Sequence, residues 1–336
     1  MYASRKNEVV NGTIENINIP TLLQGESNNL EGPISIQEAL SALRQVKNDK
    51  SPGSDGYTVE FFEFFFTDLG IFMTQSINYG FYSSQMSVTK RQGVITCIPK
   101  EVKDKQFLKN WRPITLLYAV YKLASPCIAA RLNTVLPKLI GEDQKGFLKG
   151  RYIGENIRLI YNTLLYVNKL QLPGLLLMVD FKKAFDSVAW SFIVKYLSRF
   201  NFGKNIKQWI STFYTNINSC MYVNGQYSEW FDVKRGMRHG DLLSPYLFLI
   251  CAELLALMKC QNKNIHGITI SDEEILLSQF ADDITFFLDG KREPSSSCIH
   301  TLQKFVSMSG LNINLDKTTA VRIGSQRNLR LKLCQS

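Results

Sequence analysis

The chain has 336 residues, 45% of them hydrophobic and 20% charged, the composition of a globular protein with a sizeable core and not of a disordered one. Lys and Arg total 39 against 29 for Asp and Glu, a formal net charge of +10 that suits a polyanionic partner, nucleic acid or an anionic membrane surface. No apolar run reaches the length of a membrane span, residues 1–11 lack the apolar centre of a signal peptide, and the seven cysteines are scattered without a Cys-x-x-Cys pair or a histidine at ligand spacing, which reads as reduced thiols in an intracellular protein.

Residues 1–34 are polar, rich in Asn, Glu and Ser, and read as a loosely ordered lead-in. Ser35-Ile36-Gln37-Glu38 fits a capping box, and Ile36, Ala39, Leu40, Leu43 and Val46 follow at helical spacing. That helix ends before Lys50-Ser51-Pro52-Gly53-Ser54-Asp55-Gly56, and an aromatic helix over about 59–69 comes next. Gly93 to Ile98 predicts a strand stopped by Pro99; helices are expected over 118–132 and 155–170. Leu175 to Val179 is a continuous apolar run, as in a strand buried on both faces, and it ends at Asp180. A helix over 188–200 precedes a hairpin, in which Met221 to Val223 and Tyr227 to Phe231 flank Asn224-Gly225. An apolar helix over 247–258 and two apolar strands, Ile275 to Phe280 and Ile284 to Leu288, complete the pattern, with Ala281-Asp282-Asp283 between the strands. Mixed helices and hairpins make the class α+β.

Asp180, Asp282 and Asp283 therefore border apolar strands, where an unpaired carboxylate is costly. A basic partner, protonation or a divalent cation would relieve that cost. Hard cations such as Mg²⁺ take carboxylate oxygens, and two of them can serve phosphoryl transfer. Alone, Asp-Asp also suits a hairpin turn, for local hydrogen-bonding reasons.

The wider context decides between these readings. Lys50 to Gly56, Ile98-Pro99-Lys100, Asn110-Trp111-Arg112-Pro113-Ile114, Gln144-Lys145-Gly146-Phe147, Val179-Asp180-Phe181-Lys182-Lys183-Ala184-Phe185-Asp186, Arg235-Gly236-Met237-Arg238-His239-Gly240-Asp241 with Leu243-Ser244-Pro245, Phe280-Ala281-Asp282-Asp283, and Ser309 to Asn314 with Lys317 follow one another along the chain. Together, over residues 35–325, they resemble the reverse-transcriptase domain of non-LTR, LINE-type retrotransposons.

The resemblance implies a right-hand polymerase fold, with fingers over 35–170, a palm over 171–336 and the thumb largely or wholly missing. It implies an RNA-directed DNA polymerase that extends a DNA primer on an RNA template with dNTPs and two Mg²⁺ ions, Mn²⁺ being a substitute. Asp180 and Asp282 become metal ligands with the Phe181 carbonyl assisting, and Asp283 the less direct partner. Lys100 and Arg112 resemble residues that grip the incoming triphosphate, chemistry that a planar fork and a mobile point charge can perform. Without their flanking motifs both read as solvated surface cations. Phe185 resembles the aromatic gate against a ribose 2′-hydroxyl, though a lone Phe reads as core. Gly240 permits close approach to nucleotide or template, and Lys317 resembles the lysine that protonates the pyrophosphate leaving group.

His239 stands where the family usually carries Gln, beside nucleotide and template. That departure and the short C-terminal side favour an alternative, a decayed and truncated retrotransposon relic that binds nucleic acid without polymerising. A maturase-like RNA-folding partner is a third reading. No membrane association and no stable protein partner is expected, and residence is in the nucleus or the cytoplasm.

Overall fold

The computed structural model describes residues 17–53, 55–101, 103–238 and 240–327. Its helices of ten or more residues are α1 (Ile36–Gln45), α2 (Phe66–Tyr82), α3 (Ala119–Leu139), α4 (Ile153–Lys169), α5 (Trp190–Arg199), α6 (Lys204–Tyr214), α7 (Ser244–Cys260) and α8 (Arg292–Ser309). Its strands are β1 (Gln92–Pro99), β2 (Trp111–Leu117), β3 (Pro173–Val179), β4 (Asn218–Val223), β5 (Gln226–Tyr227), β6 (Phe231–Asp232), β7 (Ile268–Ile270), β8 (Glu273–Ile275), β9 (Leu277–Phe280), β10 (Asp283–Leu288) and β11 (Thr319–Gly324). The described chain divides into two compact units, one of residues 21–135 with 193–247, the other of 17–20 with 136–192 and 248–327.

In the first unit, α1 starts where the capping box places it. The Ser35 hydroxyl accepts from the Glu38 N–H at 3.2 Å, and the Glu38 carboxylate accepts from the Ser35 N–H at 2.9 Å. Upstream, residues 1–16 lie outside the described residues; Leu22, Leu30 and Ile34 are buried and a short helix spans Gln24–Asn29, so this part of the polar lead-in is folded. Its few apolar side chains are spaced too widely to stand out among Asn, Glu and Ser.

The aromatic helix breaks at Phe65 (φ −92°, ψ 15°) into Val59–Phe64 and α2, which continues to Tyr82, well past the expected end near Leu69. Trp209 of α6 stacks on Phe81 (4.6 Å) and on Phe213 (5.7 Å), and Tyr121 meets Phe213 edge-on. These rings are fully or almost fully buried, and they form the aromatic heart of this unit. Its sheet has the order β2-β1-β4-β5, with β6 paired to β4; β1 runs antiparallel to β2 and parallel to β4. The β4–β5 hairpin turns on Asn224 (φ 52°) and Gly225 (φ 83°), the left-handed pair that a tight two-residue turn requires.

The second unit is built on a four-stranded antiparallel sheet, order β11-β3-β10-β9. Leu176 of β3, Phe287 of β10 and Ile323 of β11 bury against Val167 of α4 and Ile268. Leu159, Ile160 and Leu164 of α4 pack on the same cluster, so the amphipathic helix covers one face of the sheet. The run from Ile275 to Phe280 is not one strand. Its start pairs with β7 as β8 and its end with β10 as β9, since an apolar run does not name its partner.

One buried acid in this unit sets a pH dependence. Glu253 of α7 is 4% exposed and accepts a hydrogen bond from the Gly141 N–H at 3.0 Å. Burial pushes its carboxyl up to about 7, with the Asp143 charge adding to the rise, while the Gly141 bond and Arg151 oppose it. The folded protein therefore holds this proton more tightly than the unfolded chain does. Stability from this group is greatest below about pH 4.5 and falls until about pH 7, by roughly 3 kcal/mol in all. In Glu253→Gln, whose carboxamide oxygen still accepts from Gly141, that part of the fall should vanish. Thermal melts from pH 4.5 to 8 check this, and parallel curves for the two proteins would contradict it.

Candidate active site

The second unit's sheet brings the three predicted carboxylates together. Asp180 follows directly on β3, and Asp283 opens β10. Ile284 pairs with Val179, so one further step along the register sets Asp283 opposite Asp180. Phe280 pairs with Asp283, which makes Ala281-Asp282 a two-residue turn at the same end of the sheet. Ala281 adopts φ +55°, a left-handed conformation uncommon for a residue with a Cβ.

The charges behave as a group. Burial pushes the Asp282 carboxyl up, and the neighbouring Asp283 and Asp180 charges add to the rise; its own backbone bond and Lys317 oppose it. Asp283 is shifted upward too, by partial burial and by Asp180, again against Lys317. The Asp180 charge thus makes ionisation of both Asp282 and Asp283 more costly, the state a cation would relieve.

Lys317 supplies one such cation. Its Nζ lies 3.5 Å from Asp180 Oδ1, while the side chain is 67% exposed and so able to move. Asp180 Oδ2 accepts from Asn314 Nδ2 at 2.6 Å, and the Asp180 carbonyl accepts from the Asn314 N–H at 2.8 Å. The Thr318 hydroxyl accepts from the Asp180 N–H at 3.3 Å. Phe181 bridges to Ile313, and the Lys182 N–H donates to the Asn312 carbonyl at 2.7 Å. The segment 312–318 therefore sheathes the end of β3. Asn314 closes the Ser309–Asn314 motif but carries no role in the sequence reading, and Thr318 lies outside every motif. The only signal for Thr318 is its place next to Lys317.

Among the described residues, no three His, Cys, Asp or Glu side chains converge closely enough to hold a metal ion. The donor chemistry nonetheless fits a hard divalent cation, since oxygens of Asp180, Asp282 and Asp283 lie within one another's electrostatic influence and a lysine ammonium already faces Asp180.

Phe185 is half-buried just beyond Asp180, its ring stacked on Phe248 at 4.6 Å and meeting Phe147 edge-on at 6.3 Å. Two aromatic neighbours hold it in one place, as a steric gate requires and as a core ring also shows.

The remaining predicted residues lie in the first unit. Ile98 pairs with Arg112, and the Lys100 N–H donates to the Asn110 carbonyl at 2.8 Å, so the β1–β2 hairpin carries Lys100 and Arg112 on one face. Lys100 Nζ donates to the Lys109 carbonyl at 2.9 Å; Arg112 is exposed. Gly240 has φ +86°, and His239 lies outside the described residues.

The loop on either side of that histidine is pinned by buried polar groups. The Arg238 guanidinium lies over the Tyr121 ring at 4.6 Å and donates to the Arg91 carbonyl. Asp241 accepts from the Leu243 N–H at 3.2 Å, from Ser244 Oγ at 3.3 Å and from the Tyr121 hydroxyl at 3.4 Å. Burial raises the Asp241 carboxyl despite these bonds.

Comparison with known proteins gives the family. The family model for reverse transcriptase (RNA-dependent DNA polymerase) matches residues 98–331. The transposon TX1 uncharacterized 149 kDa protein of Xenopus laevis is 30% identical over 312 residues, 91% of this chain and 23% of the relative. The retrovirus-related Pol polyprotein from type-1 retrotransposable element R2 of Popillia japonica is 26% identical over 303 residues, 87% of this chain and 40% of the relative. A probable RNA-directed DNA polymerase from transposon BS of Drosophila melanogaster is 22% identical over 259 residues, 75% of this chain and 27% of the relative. The chain thus spans well under half the length of these relatives. With the family model matching well over half of the chain, the chain belongs to the reverse transcriptase (RNA-dependent DNA polymerase) family, among relatives from non-LTR retrotransposons.

Proposed function

We propose that this chain is the polymerase core of an RNA-directed DNA polymerase of the right-hand type, extending a DNA primer along an RNA template with dNTPs. The observation that carries the reading is the meeting of Asp180 with the Ala281-Asp282 turn and Asp283 at one end of an antiparallel sheet. Asp180, Asp282, the Phe181 carbonyl and, less directly, Asp283 would hold two Mg²⁺ ions, with Mn²⁺ able to replace them. When bound, such ions make a hydroxyl a better nucleophile and spread the charge of a leaving phosphate.

The chain's own residues take the other roles. Asn314 fixes one oxygen of Asp180 and leaves the second to Lys317. Lys317, two-thirds exposed beside Asp180, would swing away and give a proton to departing pyrophosphate. Lys100 and Arg112 offer point-charge and forked donors for the triphosphate. Phe185 bars the ribose 2′-hydroxyl by overlap. His239 and Gly240 belong to the nucleotide- and template-facing loop in this reading, and fingers precede palm along the chain.

The test is extension of a DNA primer annealed to RNA, with dNTPs and Mg²⁺. Product must depend on template and metal, and must disappear with chelator. Phe185→Val should in addition lower the preference for dNTP over NTP by roughly ten- to a hundredfold, because the ring that meets the hydroxyl is gone. Competition between the two nucleotides measures this, and an unchanged ratio would return Phe185 to a packing role.

A further inference from the structure

The turn that carries Asp282 is held from outside, and its holder is Gln144. This residue lies in the Gln144-Lys145-Gly146-Phe147 motif, which the catalytic reading above leaves without a role. Its side chain is 1% exposed. Gln144 Oε1 accepts from the Ala281 N–H at 2.8 Å and from the Gly146 N–H at 2.9 Å. Gln144 Nε2 donates to the Ala281 carbonyl at 3.2 Å and to Gln279 Oε1 at 3.2 Å. One carboxamide thus grips both backbone groups of a single residue, and all four of its hydrogen-bonding positions are used.

The backbone around it fits the same purpose. The Lys145 N–H donates to the Gln279 carbonyl at 2.9 Å, the Gln279 N–H donates to the Asp143 carbonyl at 2.8 Å, and Asn156 Nδ2 donates to the Gln279 carbonyl at 2.8 Å. The motif therefore lies along β9 like a short additional strand. Gly146 is required there, because a Cβ would meet the Ala281 nitrogen at 2.6 Å.

We infer that Gln144 is a positioning residue: its carboxamide locks Ala281 at φ +55° and thereby aims the Asp282 carboxylate. A tight turn with a left-handed first residue normally takes Gly or Asn, which reach that conformation at little cost. Alanine does not, so the turn needs an outside hold, and strained backbone of this kind persists only where its surroundings over-determine it. Aspartate follows alanine directly, so any relaxation of Ala281 swings Asp282. Other side chains of this length do this less well: ionised Glu lacks the donor, and Met has no donor and only a weak acceptor.

This inference rests on the polymerase reading for its kinetic consequence but not for its structural one, and the experiment separates the two. In Q144M, hydrogen exchange at the Ala281 amide should speed up by at least about tenfold, while exchange at Phe286, inside β10, stays within about threefold. Single-nucleotide incorporation by the same variant should show kcat lowered at least about tenfold, with the KM for dNTP and the affinity for template–primer within about threefold. The kcat penalty of Q144M should shrink to under about threefold when it is introduced into A281G, since glycine reaches the left-handed conformation unaided. A residue that merely fills space would give the same penalty on both backgrounds. Should Q144M fail to fold, Q144N serves instead, its carboxamide being one methylene too short to span both groups. Unchanged exchange at Ala281 overturns the inference, as does a penalty that A281G does not reduce. If the native chain incorporates nothing, the fault lies with the polymerase reading, and the exchange result alone decides the clamp.

Discussion

Asp282→Asn should reduce templated nucleotide incorporation by at least about a thousandfold while leaving template–primer affinity within a few-fold of native. The size follows from the site. Asp282 sits on the turn beside Asp180 and Asp283, and burial together with those two charges already raises the cost of its ionisation. An arrangement that crowds negative charge against itself is worth keeping only if a cation collects it. Removing one ionised oxygen ligand forfeits several kcal/mol of that attraction, and each 1.4 kcal/mol is tenfold in rate. Asparagine keeps the volume and one acceptor oxygen, so the turn itself should survive. Binding should survive too, because phosphate contacts by lysine and arginine dominate such affinity and Asp282 supplies none. Single-turnover incorporation and a salt-matched binding titration measure the two quantities. An equal fall in both would mean that the variant had damaged the fold, not the chemistry.

The second large effect concerns stability. Phe287→Ala should cost about 3–5 kcal/mol, out of a total that for ordinary domains is only about 5–15 kcal/mol. Phe287 is 0% exposed, and its neighbours are Val167, Leu176, Ile268 and Ile323, drawn from three elements besides the strands next to its own. Most of the cost comes from the lost burial of the ring and from the cavity that such a packed cluster cannot close. Phe287 also lies on β10, whose first residue is Asp283, so loosening it frees the frame on which the carboxylates are aligned. Denaturant titration of native and variant proteins checks the figure. A difference under about 1 kcal/mol would show that the cluster can collapse around the gap.

Much of the fold that frames the carboxylates was legible in the sequence because its parts carry local signals. The Asn224-Gly225 turn, the Ser35–Glu38 capping box and the apolar runs ending at Asp180 and resuming at Ile284 each announce a backbone state within a few residues. The polar side chains that act at long range did not. Gln144 reaches Ala281 across 137 positions and Asn314 reaches Asp180 across 134, and no periodicity links such pairs. The break of the aromatic helix at Phe65 was hidden for another reason: the consecutive rings Phe64, Phe65 and Phe66 leave no periodic face to end. The split of the run from Ile275 to Phe280 depends on two different partner strands, β7 and β10, and partners are chosen by the tertiary fold.

In the proposed function these carboxylates form a working nucleotidyl-transfer site. Its most direct test is extension of a DNA primer on an RNA template, with Mg²⁺ and dNTPs, by the native chain beside Asp282→Asn, Asp283→Asn. Template-dependent product is expected from the native chain and none from the double variant. Absence of product from both, with template–primer binding intact, would contradict it and leave a nucleic-acid-binding relic whose His239 is the first position to restore to Gln.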